Sequence, residues 1–372
     1  MKVALLLPGG VDRSGTHRVI PVQLWLIERL AAMGHEVHVF ALDQEPTPGH
    51  WPLLGATVHN AGRAPRRLRM LGQIVAEHRR APFALLHAFW AVPSGVVAAA
   101  AGAVLGIPVL LHLPGGDLAA LPAIGYGARS RWQGRAWTRF AIAGAARVTA
   151  PSEFIIAQAR DLGIEAERIP QGVALDHWPP LVPRRRAAAH ARLLHVASLN
   201  RVKDQETLLL AAALLRDRGV AFQLDIIGVD TLDGAVQRRA RELGLTGSES
   251  GAKIVHFHGF LTQSELRPWM ERADLLLVTS RHEAGPIVLL EAAMTGLPTV
   301  GTAVGQLAEW APRAAVAVPV GDFEALAYET AALLADEERR LGIARAAQAR
   351  AIREDADFTA AATDRIYRSI CS

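Results

Sequence analysis

The chain has 372 residues, of which 51% are hydrophobic and 20% charged, so a large packed core is available and a disordered or purely solvated chain is excluded. The single cysteine, Cys371, excludes a disulfide scaffold, a thiolate zinc site and a CxxC redox centre. Residues 1–180 carry 17 Lys+Arg against 12 Asp+Glu (+5) and the remainder 23 against 24 (−1), a bias suited to a membrane surface or anionic ligands but too weak for a nucleic-acid partner.

In chain order, the opening MKVALLLPGG reads as a buried strand, Val3–Leu7, and not as a secretory leader, because the apolar run stops at Pro8. Further strands are expected at Glu36–Ala41, Ala84–His87, Val109–Leu113 and Val148–Ala150. Helices are expected between them, at Val19–Met33, Arg69–Arg80 and Ser152–Leu162. Gly95 to Leu113 is 19 residues without a charge, but Gly102, Gly106 and Pro108 interrupt it. It reads as a buried helix over 93–105 followed by a strand, not as a membrane span. Residues 177–189, HWPPLVPRRRAAA, stop regular structure and are the expected linker.

The alternation then restarts, with strands at Leu193–Ala197, Gln223–Gly228, Lys253–His258, Asp274–Thr279, Pro298–Thr302 and Ala315–Val318. Helices are expected near 204–217, 233–243, 263–272, 287–295 and 322–335, with Thr262–Glu265 as a capping box. Ala-rich, Arg-studded helical sequence runs to the end. Short apolar strands separated by amphipathic helices imply two α/β units with parallel sheets, and ligands bind such sheets at the C-terminal ends of strands.

Four constellations bear on chemistry. The loop PGGVDRSGTH, with Gly9 and Gly10, leads from the first strand to the first helix and suits either an anionic ligand on backbone amides or a structural turn. It has neither the GxGxxG spacing of a dinucleotide fingerprint nor the lysine of a P-loop. Only three of the 40 basic residues are lysine: Lys2, Lys203 and Lys253. Lys203 lies in the first strand-to-helix loop of the second unit, where a compact ammonium either approaches a phosphate or is solvated. In RHEAGPIVLLEAAMTGLPTVGT, residues 281–302, Glu283 ends a loop and Glu291 follows eight residues on, in a helix whose first turn holds Pro286. The amides around Gly285, Pro286 and Ile287 and the two carboxylates suit a diphosphate and sugar hydroxyls, whereas Glu291 alone would be a solvated helix residue. His256 and His258 have no acidic or thiolate partner nearby in sequence, and no D-x-D pair ends a strand, so no metal is expected.

The run EAGPIVLLEAAMTGLP resembles the E-x7-E signature of retaining family-four glycosyltransferases of the GT-B fold, glycosyl transferases group 1, and the similarity continues into TAVGQLAEW and VAVPVGDFEALA. Upstream, HVASLNRVKDQETLLLAA, QLDIIGVD, IVHFHGFL, TAPSEF and RIPQGVALDHW resemble the same family. The resemblance implies an α/β protein with two Rossmann-like domains in tandem and an interdomain cleft. An acceptor-side domain would span 1–180 and a nucleotide-sugar-binding domain 181–355, with a final helix, 356–372, crossing back to the first. It further implies a metal-independent hexosyltransferase that needs no cofactor. Such an enzyme would move a sugar from a nucleotide-sugar to a saccharide or lipid-linked acceptor with retention. By resemblance, Lys203 contacts the donor phosphates, Glu283 the sugar hydroxyls, Glu291 the ribose, and Gly9 and Gly10 lie near the phosphate.

Two positions depart from the family pattern. Ser198 stands where an arginine is usual, with Arg201 as the alternative positive charge, and Pro114 stands where many relatives carry a histidine. His112 and Asp117 are the neighbouring polar candidates for that catalytic role. These departures leave room for a catalytically weakened donor-binding subunit, and a nucleotide-sugar epimerase of the same fold is the alternative enzyme. A basic-aromatic stretch at 128–148, with Arg129, Arg131, Arg135, Arg139, Trp132 and Trp137, either packs on the domain core or lies on anionic headgroups. The expected place is the cytoplasm, with peripheral contact at the inner face of the membrane.

Overall fold

The computed structural model describes residues 1–247 and 254–372, which divide into two compact units, Met1–Ala174 with Glu354–Ser372, and Leu175–Arg353. Unit 1 begins β1 (Lys2–Leu7), α1 (Pro21–Ala32), β2 (Glu36–Ala41), β3 (Gly49–Leu53), β4 (Ala56–Asn60), α2 (Arg66–Arg80) and β5 (Leu85–Phe89). It continues through α3 (Val96–Leu105), β6 (Val109–His112), α4 (Trp132–Ala143), β7 (Arg147–Ala150), α5 (Glu153–Asp161) and β8 (Glu167–Arg168). The eight strands lie in the order β3-β4-β2-β1-β5-β6-β7-β8, all parallel except the β3–β4 hairpin. Strand β1 is buried from Val3 to Leu7 because neighbours pair on both sides of it and helices cover the faces.

Unit 2 runs β9 (Ala191–Val196), α6 (Gln205–Asp217), β10 (Phe222–Ile227), α7 (Ala235–Glu242), β11 (Val255–Phe257), α8 (Gln263–Arg272) and β12 (Leu275–Val278). It ends with α9 (Ile287–Met294), β13 (Thr299–Thr302), α10 (Gly305–Trp310), β14 (Val316–Val318), α11 (Phe323–Ala335) and α12 (Glu337–Arg353). Its six strands are all parallel, in the order β11-β10-β9-β12-β13-β14. Counted from β9, this is the 3-2-1-4-5-6 order of a dinucleotide-type fold, with the reversal between β9 and β12. Thr262 and Glu265 form the expected capping box at the start of α8, with the Thr262 N–H donating to Glu265 Oε2 at 2.8 Å. The strand predicted from Lys253 is Val255–Phe257 where it is described, and Lys253 itself lies outside the described residues.

Two expectations are corrected. The chain changes units at 174/175 and not at 180, and residues 177–189 are not a free linker. The N–H of Leu181 donates to Met294 O at 2.8 Å, Arg184 Nε donates to Glu271 O at 2.9 Å, and Arg186 Nη1 donates to Leu334 O at 2.7 Å. The arginine cluster thus binds carbonyls at the C-terminal ends of α8 and α11, where helix carbonyls lack internal partners. The charge-free stretch at 95–113 is α3 followed by β6, and no helix among the described residues is long and apolar enough to cross a membrane.

The last helix, α13 (Ala356–Cys371), begins at a cap in which Asp355 accepts from the Phe358 N–H, and it packs against α1 within unit 1. Arg168 on β8 donates to both oxygens of Glu354 at 3.0 and 2.8 Å, which fixes the point where the chain rejoins this unit. Ala360, Ile366 and Tyr367 enter the unit 1 core, and the Tyr367 hydroxyl lies 2.7 Å from His87 Nδ1. Both groups are buried, so Tyr367→Phe leaves an imidazole nitrogen without its partner and is expected to cost about 1–3 kcal/mol. Tyr367→Ala, which also empties the ring's volume, is expected to cost about 3–5 kcal/mol. Urea unfolding checks both, and wild-type midpoints in both variants would mean that α13 contributes nothing to this core.

Candidate active site

In unit 2 the loops that follow β9 and β12 are bonded to one another. Asn200 Oδ1 accepts from the N–H groups of Val202 and Lys203 at 3.2 and 3.1 Å, which closes the turn carrying Lys203. The Arg281 N–H donates to Val202 O at 2.7 Å, and Thr279 Oγ1 donates to Lys203 O at 2.8 Å. Arg281 also pairs with Asp204 at 3.0 Å, and Thr207 donates to the same carboxylate at 2.9 Å. Beneath these loops, His195 Nδ1 donates to Leu277 O at 2.9 Å, tying β9 to β12. Burial holds this imidazole down at about 4, so it is neutral.

On this frame Lys203 and Glu283 form an ion pair, and Ser280 Oγ donates to the same Glu283 oxygen at 2.6 Å. Both long side chains are half-buried, which strengthens their attraction relative to a solvated pair. Gly305 backs the Glu283 loop at φ +53, and a Cβ there would stand 2.6 Å from Glu283 O, so only glycine lets the two backbones approach. Pro286 is the N-cap of α9 and not its first helical residue, with ψ 115, and no side chain caps the helix. Gly285 is half-buried and Ile287 opens the helix. The uncapped first turn is therefore left to an outside acceptor.

Glu291 is not a solvated helix residue. It is 5% exposed, and its carboxylate accepts from Gln263 Nε2 at 2.7 Å. Burial pushes its carboxyl up to about 7, with the Gln263 bond opposing the rise. Ser198 contributes its carbonyl, not its hydroxyl, by accepting from Gln205 at 3.1 Å, and Arg201 is exposed in the Lys203 turn. His258 does have an acidic partner, Asp225 on the neighbouring strand at 2.7 Å, a pairing across 33 residues that local spacing does not reveal.

In unit 1 the glycine loop is held from within. Gln44 Oε1 accepts from the N–H groups of Gly10 and Val11 at 2.7 and 3.0 Å, so these amides already have an acceptor. Gly10 sits at φ +86 with Ile20 where a Cβ would be, while Gly9 packs against Gln44. His112 is buried with Nδ1 2.9 Å from Thr149 Oγ1, and burial lowers its imidazole to about 3. Asp117 is 2% exposed, and its Oδ1 accepts from the Ala91 N–H at 2.7 Å. Burial raises its carboxyl to about 6 against the lowering effect of backbone N–H groups. Residues that sequence reasoning missed are Ser280, Gln263, Gln44 and Asn200. Gln263 and Gln44 act through partners distant in sequence, Ser280 through Glu283 three residues on, and Asn200 through a recognisable Asx turn before the lysine.

Two family models match the chain: "Glycosyl transferases group 1" over residues 190–336 and "Glycosyl transferase 4-like domain" over residues 19–172. The chain belongs to the GT-B glycosyltransferases. This glycosyltransferase is 29% identical over 333 residues to D-inositol 3-phosphate glycosyltransferase of Arthrobacter sp. (strain FB24), a match spanning 81% of this chain and 76% of that one. It is 30% identical over 235 residues to EpsF of Bacillus subtilis (strain 168), spanning 59% of this chain but only 57% of EpsF. Its fold is similar to that of Anabaena HepE, solved in complex with UDP-glucose. The TM-score is 0.75 at 18% identity, covering 99% of this chain and 100% of that one.

A pH measurement separates a buried Glu291 from a solvated one. Its folded pKa of about 7 lies above the ordinary 4.5, so the penalty for burying the ionised form is absent below about pH 4.5 and complete above about pH 7. Glu291→Gln is therefore expected to match the wild type in stability at pH 4.5 and to exceed it at pH 8 by up to about 3 kcal/mol. Urea unfolding at the two pH values checks this, and a difference independent of pH would place the carboxylate in solvent.

Proposed function

We propose that this chain is a retaining, metal-independent glycosyltransferase of the hexosyltransferase type. It moves a sugar from a nucleotide-sugar to a saccharide or lipid-linked acceptor without a cofactor. Unit 2 binds the donor, and unit 1 binds the acceptor. The observation that carries this reading is the Lys203–Glu283–Ser280 cluster on two interlocked loops at the sheet reversal of unit 2, with the uncapped start of α9 following Glu283. That place in a parallel sheet takes nucleotide phosphates. A UDP-sugar is the first donor to try, because HepE, with the same fold, was solved with UDP-glucose.

As the bond from the anomeric carbon to the diphosphate lengthens, negative charge grows on the leaving phosphate and positive charge on the sugar. The Lys203 ammonium, Arg201 and the N–H groups at the start of α9 stabilise the leaving group. Glu283 accepts from sugar hydroxyls, and Glu291 accepts from the ribose. The acceptor hydroxyl attacks on the face from which the nucleotide departs, and its proton passes to the leaving phosphate oxygen. Asp117 serves the first unit as a cap for the Ala91 N–H and not as a nucleophile, since its oxygen is turned inward and buried. His112, neutral and bonded to Thr149, shapes the same region without exchanging protons near neutrality. Cytoplasmic action, with peripheral contact at the inner membrane face, completes the proposal.

Screening nucleotide-sugars for thermal stabilisation and then for transfer is the direct test, because bound donor raises stability by mass action. Lys203→Ala and Glu283→Ala are each expected to lower turnover by at least about 10²-fold in a folded protein. Near-wild-type turnover in either would remove that residue from the site. Activity is expected to survive EDTA, and loss restored by Mg²⁺ or Mn²⁺ would show a metal-held diphosphate instead. Product that keeps the donor's anomeric configuration is expected by NMR.

A further inference from the structure

We propose that α4 of unit 1 is a membrane-docking surface for an anionic lipid bilayer. The inference deepens the peripheral contact proposed above by naming the helix and the lipid chemistry. Trp132 is 69% exposed, Trp137 44% and Phe140 47%, so the aromatic residues of this helix do not pack on the core. Only Thr138 and Ala141 of α4 are buried. At 3.6 residues per turn, Trp132, Ala136, Phe140 and Ala143 form one stripe opposite that buried pair, with Arg135 and Arg139 along one flank and Trp137 along the other. A helix whose outermost stripe is apolar and aromatic, edged by cations, matches the boundary between headgroups and acyl chains.

The charge around it points the same way. From Ala81 to Ser152 the chain has five arginines, at 129, 131, 135, 139 and 147, and a single acidic residue, Asp117, which is buried. None of Arg131, Arg135 and Arg139 has an ion-pair partner among the described residues; Arg135 donates only to the Arg129 carbonyl at 3.3 Å. Other surface arginines of this unit do find carboxylates: Arg13, Arg18, Arg66 and Arg80 each lie on one. Unpaired guanidinium groups beside exposed indoles fit phosphate headgroups above an apolar layer.

Placement supports docking and not chance exposure. Because α4 leads into the parallel strand β7, it must run back along the sheet, so its Trp132 end lies toward the C-terminal edge of the strands. That edge is where ligands of such sheets bind. Helix α2, which like α4 packs against α3, starts at the same edge with Arg67 and Leu68 exposed. With no helix long enough to span a bilayer among the described residues, the contact would be reversible and salt-sensitive.

The test is co-sedimentation of the full chain with phosphatidylcholine vesicles, with and without phosphatidylglycerol, at low and high salt. The expected result is pelleting with the anionic vesicles at low salt, loss of pelleting at high salt, and a blue shift of tryptophan emission on binding. Arg135→Gln with Arg139→Gln is expected to weaken the partition about 30-fold. Trp132→Ser with Trp137→Ser and Phe140→Ser is expected to remove it, with unfolding midpoints unchanged because all three side chains are exposed. Equal pelleting with both vesicle types overturns the proposal, as does pelleting of the triple variant like the wild type. Vesicle binding is read without donor or acceptor, so its failure leaves the transfer reading standing. Conversely, loss of turnover in the Lys203 variant leaves vesicle binding unaffected.

Discussion

The parallel pairing of β9 with β12 is the constraint on which the candidate site depends. The strands are separated by more than 75 residues in sequence, yet Leu193 and Leu194 register against Leu275 and Leu276. Strand order reverses there, so the connecting helices leave in opposite directions and the loops above the two strands face open space. Every feature of the site follows. Lys203 and Glu283 meet because their loops leave adjacent strands, and Arg281, Thr279 and Asn200 lock those loops into one surface. Thr302 on β13 donates to Ser280 O, which extends the frame one strand further.

Desolvation decides the state of four buried titratable groups, two in each unit, and it acts in opposite directions on acids and bases. His195 and His112 are held neutral, while Glu291 and Asp117 are pushed toward the protonated form. Each buried group then depends on a specific partner: Leu277 O, Thr149, Gln263 and the Ala91 N–H respectively. A buried polar group without a partner costs more than a made hydrogen bond returns, so these partners are as constrained as the groups they serve.

Where periodicity and end signals agree, the sequence is readable. The parallel strands apart from β4 and β8, the capping box at Thr262 and the segment from Glu283 to Glu291 lie where local pattern puts them. The β3–β4 hairpin is not readable, because its turn is Leu54-Gly55 with both residues at positive φ, a primed turn that usually carries Asn-Gly. The 177–189 segment reads as a linker because proline and arginine stop regular structure. Its carbonyl and carboxylate partners lie 87 to 153 residues away and are invisible to local pattern. Separations of 28 and 34 residues likewise hide Gln263 from Glu291 and Gln44 from Gly10. A carboxylate on a helix is usually solvated, and only packing shows that Glu291 is not.

Rarity of lysine is a weaker guide than the use made of each ammonium. Lys2 and Lys203 are the lysines among the described residues, and each pairs with a glutamate. Lys2 is a finished structural contact. Its three N–H groups reach Glu77 Oε1 at 2.8 Å, Ala81 O at 3.0 Å and Glu77 O at 3.5 Å, and its side chain is only 7% exposed. An ammonium has three donors and Lys2 has an acceptor for each. Among the described residues Lys203 has Glu283 as its single acceptor and is 25% exposed, so two donors stay unassigned. A phosphate oxygen can take those donors without displacing Glu283, whose remaining oxygen is then available to a sugar hydroxyl. The arrangement keeps the charge pre-placed and leaves part of its bonding capacity open.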